Sequence, residues 1–369
     1  MDFWKNLFDK PDEGGESDPV YDAFWSWFLE YQGEFARVLR SHDDIEDKFL
    51  KPVLAKLQEV RAGLKMMVGM VGDTDTVDLV LTADGNILAL GYAEGLARAA
   101  PKILGWKISA LKPPASLEKL QMQMHNQVFD FTTLSFYAND REEYPDLVDI
   151  TIVHRDFNVK NASEIKTGVF IFLDHLLGER TFVEAVDELK VIGPVDAERP
   201  LMPILKLKDF LAKREKEFAS KYQGVRYDAE TDGYTKLEGR LPDNSPLVAT
   251  INTMLLGWDH KASHPWLVRV IVTYDGKAHN QMPDEATYGL LEKLEEDIEA
   301  ELKDHDGYLN IGRQTGGGKR EIYLACWDFR KPLKVMDKVV KGSTDGFHIA
   351  FAVHKDKYWR WFEKFRVGK

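Results

Sequence analysis

Residues 264–275, "HPWLVRVIVTYD", open the part of the sequence that decides the fold. Their β-branched and aromatic residues lack a helical period, which predicts a strand. The next stretch, "PDEATYGLLEKLEEDIEAELKDH" at 283–305, has apolar residues at three- and four-residue steps, which predicts a helix. Two further strands are predicted at 307–315, "GYLNIGRQT", and at 319–329, "KREIYLACWDF", with glycines between them.

A second helix at 331–342, "KPLKVMDKVVKG", and a last strand at 346–354, "GFHIAFAVH", complete the order β-α-β-β-α-β. This order is the split βαβ, or ferredoxin-like, arrangement, in which both helices pack on one face of an antiparallel sheet. Upstream, residues 234–255 are expected to add a hairpin at the edge of that sheet. The sequence therefore predicts an α+β domain in its C-terminal part.

The N-terminal part is predicted to be a second α+β domain that opens with two helices and continues into a mixed sheet. In residues 18–41, "DPVYDAFWSWFLEYQGEFARVLRS", aromatic residues recur with the helical period, and Asp18 with Pro19 is typical of a helix start. Polar, turn-rich composition between residues 222 and 246 indicates a boundary. We expect a mobile polar tail at 1–17 and domains at 18–228 and 229–369.

The charge of the chain is −12 and is unevenly distributed. Residues 1–260 carry 30 Lys and Arg against 44 Asp and Glu, whereas residues 261–369 carry 19 against 17. An acidic region is a poor general binder of nucleic acid, because cations that neutralise phosphates supply most of that affinity. The single cysteine, Cys326, and the lack of a signal peptide or a long apolar run predict a cytoplasmic protein without a membrane span.

Residues 154–161, "HRDFNVKN", fit the catalytic-loop pattern of protein kinases. A kinase also needs a glycine-rich loop upstream and Asp-Phe-Gly downstream, and the sequence has neither. The preceding residues alternate as a strand that runs directly into His154. We therefore interpret His154 and Asp156 as the end of a strand and a polar turn.

Other motifs also fail to form a catalytic or metal set. The glycines in "GRQTGGGKR", 312–320, lie between two strands and lack the spacing of a phosphate-binding loop, so they predict a tight hairpin turn. The histidines show no spacing typical of zinc sites. Cys326 lies within an alternating strand and is expected to be a small core residue. We predict no metal and no cofactor.

The C-terminal segment 355–369, "KDKYWRWFEKFRVGK", interleaves cations with aromatic rings. Such a pattern can hold single-stranded nucleic acid by stacking. Alternatively, Trp359, Phe362 and Phe365 recur at three-residue steps and would dock a terminal helix on the domain, with the cations in solvent. Docking is the favoured interpretation.

From about residue 233 onwards the sequence resembles an uncharacterised bacterial family, the domain of unknown function 695. The residues that carry the resemblance are "HPWLVRVIV", "MPDEATYGLLEKLEEDIEAEL", "YLNIGRQTGGGKREIYLACWDF" and "YWRWFEKF". The resemblance implies a small α+β domain related to the ribonuclease E inhibitor B group. It implies no catalytic residues and no activity.

We expect a non-catalytic protein-binding or regulatory module of the bacterial cytoplasm, whose partner is another protein. A basic partner fits the charge, because acidic surfaces attract basic partners. One alternative is RNA binding by the C-terminal domain. A second is a hydrolase-like enzyme with a site between the domains, where His154 and Asp156 would be the second-choice residues. The candidate interaction residues are Arg313, Lys319, Arg320, Arg269, Asn252 and Trp359.

Overall fold

A computed structural model describes residues 18–72, 74–116, 120–342 and 346–366. The structure is α+β, as predicted, and divides into two compact units, residues 1–219 and 220–369. The expected mobile tail at 1–17 lies outside the described residues. Within the described ranges, no helix is long and apolar enough to cross a bilayer.

The first unit opens with helix α1, Pro19–Ser41, and helix α2, Lys51–Val60, which continues directly from a π-helical turn. The Asp18 side chain caps α1 by accepting a hydrogen bond from Val20 N at 3.2 Å, and Pro19 takes the first position. The buried face of α1 is aromatic, and the ring of Phe28 is fully buried. The two predicted N-terminal helices are therefore present.

Two mixed sheets follow in this unit. In the first, β1 (Lys65–Met70) pairs antiparallel with β2 (Val77–Thr82), and β2 pairs parallel with β3 (Trp106–Ala110) across helix α3 (Ile87–Arg98). Its aromatic core includes an edge-on contact between Phe28 and Trp106, with ring centroids 4.9 Å apart. The remaining elements before the second sheet are the short paired strands β4 (Met122–Met124) and β5 (Gln127–Phe129).

The second sheet has the strand order β8-β7-β6-β9, with ranges β6 Leu134–Ala138, β7 Asp149–His154, β8 Glu188–Ile192 and β9 Met202–Pro203. All six residues of β7 are buried. Helices α4 (Ala162–Leu177), α5 (Glu179–Ala185) and α6 (Leu207–Tyr222) accompany it in the chain. Their apolar residues and those of the sheet form one core, centred on fully buried Phe136, Ile150 and Leu173.

A carboxylate ties the first sheet to α5. Glu179 is fully buried and accepts hydrogen bonds from the Thr82 hydroxyl at 2.6 Å and from the backbone N–H groups of Ala83, Gly85 and Lys112 at 3.0, 3.1 and 3.1 Å. A buried carboxylate is tolerated when its oxygens are hydrogen-bonded in this way. Glu179 therefore fixes the loop that follows β2.

The second unit is built on a six-stranded sheet in the order β10-β11-β13-β14-β12-β15, with every neighbouring pair antiparallel. The chain order is β10 Tyr234–Arg240, β11 Pro246–Asn252, α7 Thr253–Leu256, β12 Trp266–Thr273, α8 Glu285–Glu301, β13 Tyr308–Gly316, β14 Lys319–Cys326, α9 Arg330–Gly342 and β15 His348–Lys355. The last four strands and two helices form the predicted ferredoxin-like arrangement. The predicted hairpin, β10–β11, is added beyond β13.

The glycines between β13 and β14 form the predicted tight turn. Gly316 pairs with Lys319, and Gly317 and Gly318 between them have φ of 62° and 70°. Two consecutive left-handed residues give a two-residue hairpin turn, which side chains rarely allow. The turn fixes the register, so Arg320 and Ile322 point to one face of the sheet, whereas Glu321 and Tyr323 point to the other.

Candidate functional site

The second unit contains a surface cavity of about 180 Å³ near the β10 edge of its sheet. Its walls come from the segment before β10, the end of β11, the end of α8 and the start of β13. The lining residues are Tyr227, Ala229, Asp232, Tyr234, Asn252, Leu255, Glu299, Leu302, Asp304, Tyr308, Leu309 and Asn310. Small-molecule sites usually enclose roughly 300–1,000 Å³. This cavity therefore suits one side chain or a similarly small group.

Asn252 builds one wall of the cavity. It is fully buried at the end of β11, where its Oδ1 accepts hydrogen bonds from Leu255 N at 3.1 Å and Gly233 N at 3.3 Å. Its Nδ2 donates to Asp232 Oδ1 at 2.6 Å. Asn252 thus caps α7 and orients the Asp232 carboxylate, so this candidate interaction residue shapes the site from beneath its surface.

The opposite wall depends on a β-bulge in β13. Asn310 donates from Nδ2 to Glu299 Oε1, and its backbone oxygen accepts from the Tyr234 hydroxyl at 3.4 Å. The strand register shifts between Asn310 and Gly312. Gly312 has φ of 132°, and a Cβ there would lie 2.2 Å from Thr250 O, so only glycine fits. The bulge places Asn310 beside the end of α8.

The cavity is acidic. Three carboxylates line it, those of Asp232, Glu299 and Asp304, and none of its lining residues in the described chain is Lys, Arg or His. The cation Lys331 lies close to one wall, with Nζ 5.2 Å from the centroid of the Tyr308 ring. Carboxylates grouped on the wall of a concave site focus a negative potential, which favours a cationic ligand.

The tyrosines of the cavity act as neutral groups. Burial raises the pKa of Tyr227, and burial followed by the charges of Asp232 and Glu299 raises the pKa of Tyr234. The Tyr227 hydroxyl is shielded from solvent near Asp232 and Asn252 but forms no well-aligned hydrogen bond with the described chain. Protonated phenols donate hydrogen bonds, and their rings attract cations. The arrangement of carboxylates and neutral tyrosines is therefore suited to binding a cation.

Arg313 and Arg320, which were expected to face a partner, lie on the helix side of the sheet. Arg320 is 1% exposed and donates from Nη1 to Glu292 Oε1 at 3.0 Å. Arg313 contacts both Glu292 and Glu295, each at 3.0 Å. Burial raises the pKa of Glu295, and the two arginines oppose that rise. These four charges join α8 to the β13–β14 hairpin. Both arginines therefore have a structural role that requires no bound protein.

Arg269 and Lys319 lie on the other face, around Glu321. Glu321 is 1% exposed and receives two hydrogen bonds from Arg269, at 3.0 and 2.7 Å, and one from the Tyr323 hydroxyl at 2.7 Å. Lys319 Nζ lies 2.9 Å from Glu321 Oε1. Despite its burial, hydrogen bonds from Arg269 and Lys319 hold the pKa of Glu321 at about 2. The side chains of Arg269 and Lys319 are 35% and 43% exposed, so both reach solvent.

The C-terminal segment docks on the sheet, as favoured from the sequence. Trp359 is 1% exposed and donates from its indole nitrogen to His264 O at 2.9 Å. Residues Arg360–Phe365 form a 3₁₀ helix that buries Phe362 and Phe365 in the same core as Tyr323. Trp359 is therefore a core residue and offers no surface to a partner.

His154 and Asp156 belong to the first unit. His154 is fully buried, with Nε2 3.0 Å from Val128 O and Nδ1 accepting from Asp156 N at 3.1 Å. Burial lowers the pKa of His154. Both ring nitrogens are thus occupied by backbone groups, and Asp156 is exposed in the following turn. The kinase-like string is a strand end and a turn, as interpreted.

Sequence reasoning missed the acidic cavity. Tyr227, Asp232 and Tyr234 lie in the polar segment that was assigned to a domain boundary, and Glu299 lies within the predicted helix at 283–305, where no site was expected. A dense group of tyrosines and acids at 227–234, "YDAETDGY", is the signal that could have indicated a site. In the described ranges, no three His, Cys, Asp or Glu side chains are grouped to hold a metal ion.

Comparison with known proteins concerns the second unit. Residues 241–366, which are 126 of the 369 residues, match the model of a family described as Family of unknown function (DUF695). This confirms the resemblance inferred for the C-terminal part. No curated protein and no solved structure matches the chain. Kinship with the ribonuclease E inhibitor B group stays a prediction.

Proposed function

We propose that the second unit is a protein-binding module that receives a basic side chain of its partner in the acidic cavity. The observation that carries the proposal is the combination of three carboxylates and three tyrosines around about 180 Å³ without a cation in the described lining. The protein that binds there would present an exposed Arg or Lys.

An arginine side chain fits the chemistry best. A guanidinium group presents five donors in a plane and can bind two carboxylates or one carboxylate in a bidentate manner. Asp232 and Glu299 stand on different walls, each oriented by an asparagine. The Tyr234 ring would face the bound cation, and a cation on an aromatic ring contributes about 0.5–2 kcal/mol.

The remainder of the chain would support such an encounter. Residues 1–260 carry an excess of 14 acidic side chains, which follows from 44 Asp and Glu against 30 Lys and Arg. An acidic protein attracts basic partners over distances near the Debye length, roughly 8–10 Å at physiological ionic strength. We also place the protein in the bacterial cytoplasm, because Cys326, the single cysteine, is a buried free thiol that can form no disulfide within the chain.

The test is a calorimetric titration of the full chain with the peptide acetyl-Gly-Arg-Gly-amide. One side chain in an exposed cavity should bind with a Kd on the order of 1 mM, or about −4 kcal/mol. Glu299→Gln removes one carboxylate and should weaken binding roughly fivefold, which is about 1 kcal/mol for a partly exposed charge pair. Binding of the wild-type chain should also weaken when salt is raised from 50 to 500 mM.

The matched control is Glu301→Gln. Glu301 lies two residues later on α8, is exposed, and does not line the cavity. It changes the net charge of the chain as much as Glu299→Gln does, so it separates a local contact from general electrostatic attraction. Equal weakening by both variants, or no heat of binding at 50 mM salt, would refute the proposal.

A further inference from the structure

One face of the six-stranded sheet is only half covered. Opposite α8 and α9, the C-terminal 3₁₀ helix and α7 pack over β11, β13, β14 and Leu267 of β12, where they form a common core. Alternation along edge strand β15 directs His348, Ala350, Ala352 and His354 to this side, and all four are exposed. We call this side of β15 and of residues 269–273 in β12, with the adjoining cations described next, the open half-face.

The open half-face is positively charged. Strands β12, β14 and β15 contain one acidic residue, Glu321, which is shared by Arg269 and Lys319. The register places Arg269 beside Ala352 and Lys319 beside Thr273, which neighbours His348. Lys364 extends over the same region, with Nζ 3.5 Å from the centroid of the Trp361 ring. Three cations around one carboxylate leave a charge of +2.

The cations repel one another. Burial lowers the pKa of Lys364, Arg269 and Lys319 lower it further, and Glu321 opposes this. His354 reaches solvent, but partial burial lowers its pKa, with Arg269 adding to the effect and Asp356 opposing it. The imidazole of His354 is therefore neutral at neutral pH, which suits stacking on a base. An anion placed among the cations would relieve their repulsion.

We infer that the open half-face binds a short single strand of nucleic acid. Lys319 and Lys364 would contact phosphates, and the imidazoles of His348 and His354 would stack on bases. The two histidines are six residues apart on one strand, or roughly 20 Å, and the alanines between them allow a flat chain to approach closely. A purely acidic peptide such as poly-glutamate matches the charge but has no rings for the histidines, whereas every nucleotide of a single strand carries both a phosphate and a base.

This surface lies at the β15 edge, whereas the acidic cavity lies at the β10 edge, so the two inferences are independent. It also differs from the surface of candidate interaction residues inferred from the sequence, because Arg320 is buried against α8, Arg313 is paired with Glu292 and Glu295 of that helix, and Trp359 is in the core. Of the hairpin cations Arg313, Lys319 and Arg320, Lys319 reaches this face, where it joins Lys364 of the C-terminal segment.

The experiment is fluorescence anisotropy of labelled 12-mer RNA and of DNA with the same sequence, titrated with the full chain at 50 mM salt. One lost phosphate contact changes the slope of log affinity against log salt by about 0.7 and lowers affinity at 50 mM salt roughly five- to tenfold. Lys319→Gln and Lys364→Gln should each show this loss. His354→Ala should weaken binding by a similar factor without changing the salt slope.

Lys293→Gln is the control, because Lys293 is exposed on α8, on the covered side of the sheet. Lys293→Gln should leave RNA binding unchanged. Glu299→Gln alters the acidic cavity and should also leave RNA binding unchanged. Binding of RNA or DNA with losses confined to the open half-face supports the inference, and the comparison of the two oligonucleotides identifies the favoured sugar. No binding at 50 mM salt, equal loss in Lys293→Gln, or equally good competition by poly-glutamate would overturn it.

Discussion

Replacement of Arg320 by methionine tests whether the helix-side arginines are structural. The change removes a guanidinium that is 1% exposed and donates to Glu292 at 3.0 Å and to the Thr315 hydroxyl at 3.2 Å. Methionine retains much of the volume, so the cost is mainly electrostatic. Removing one partner of a buried ion pair typically costs about 3–5 kcal/mol.

The lower end of that range is expected for Arg320→Met. Arg313 still lies 3.0 Å from both Glu292 and Glu295, so neither carboxylate loses every cation. The lost charge-assisted bond contributes about 1.5–3 kcal/mol and the bond to Thr315 about 1 kcal/mol. The expected loss in the free energy of unfolding is therefore about 3 kcal/mol.

The loss in the free energy of unfolding caused by Arg320→Met should also depend on pH. The pKa of Glu295 is raised by burial and restrained by the arginines, so removing Arg320 raises it further. A carboxyl whose folded pKa exceeds its unfolded pKa gains stability as pH falls through the folded value, because the folded state then binds a proton. The difference between variant and wild type should be smaller at pH 5 than at pH 8.

The assay is hydrogen exchange under increasing urea, read by mass spectrometry on peptides from residues 285–326, which report the second unit alone. Lys293→Met is the control, since Lys293 is exposed on α8, the helix whose Glu292 accepts from Arg320. A loss below 1 kcal/mol for Arg320→Met, or equal losses in the two variants, would refute the structural role. Arg320 would then again be a candidate for contact with a partner.

Two further predictions concern buried polar groups. Glu179→Gln should lower the free energy of unfolding of the first unit by about 3 kcal/mol, because the new amide nitrogen would face a backbone N–H donor in place of the oxygen that accepted from it. Urea unfolding measures this loss, with the exposed residue change Glu30→Gln as the control. A loss equal to that of the control would contradict the prediction. His264 is buried, and its pKa is lowered from 6.5 to about 4, so the unfolded chain binds the proton first as pH falls. The free energy of unfolding of the second unit should fall by about 3 kcal/mol between pH 6.5 and 4, and this fall should be absent in His264→Gln. A His264→Gln variant with the same pH profile as the wild type would show that His264 is not responsible.

The fold of the ferredoxin-like part could be predicted because the spacing of its apolar residues is regular. Residues 264–354 alternate or repeat at helical steps, and each segment became the expected strand or helix. The two-residue turn at Gly317 and Gly318 also fixes which residues pair. From that turn alone, Arg320 pairs with Thr315 and falls on the same face as Ile322, so its burial against a helix was within reach of the sequence.

The acidic cavity could not be predicted in the same way. Its residues come from the segment before β10, from α8 and from a bulge in β13, which are distant in sequence and follow no single period. The bulge at Gly312 displaces the register by one residue, and alternation cannot reveal such a shift. Tyr227 and Asp232 lie in a polar segment that composition identifies only as a linker.

The central claim is that a cation enters the acidic cavity, and asparagine-selective ¹⁵N NMR tests it most directly. The side-chain amides of Asn252 and Asn310 lie in its walls and should report an occupant. We predict that acetyl-Gly-Arg-Gly-amide shifts both resonances, whereas the peptide with neutral citrulline in place of arginine shifts neither. Unchanged resonances with the arginine peptide, or equal shifts with both peptides, would contradict the account.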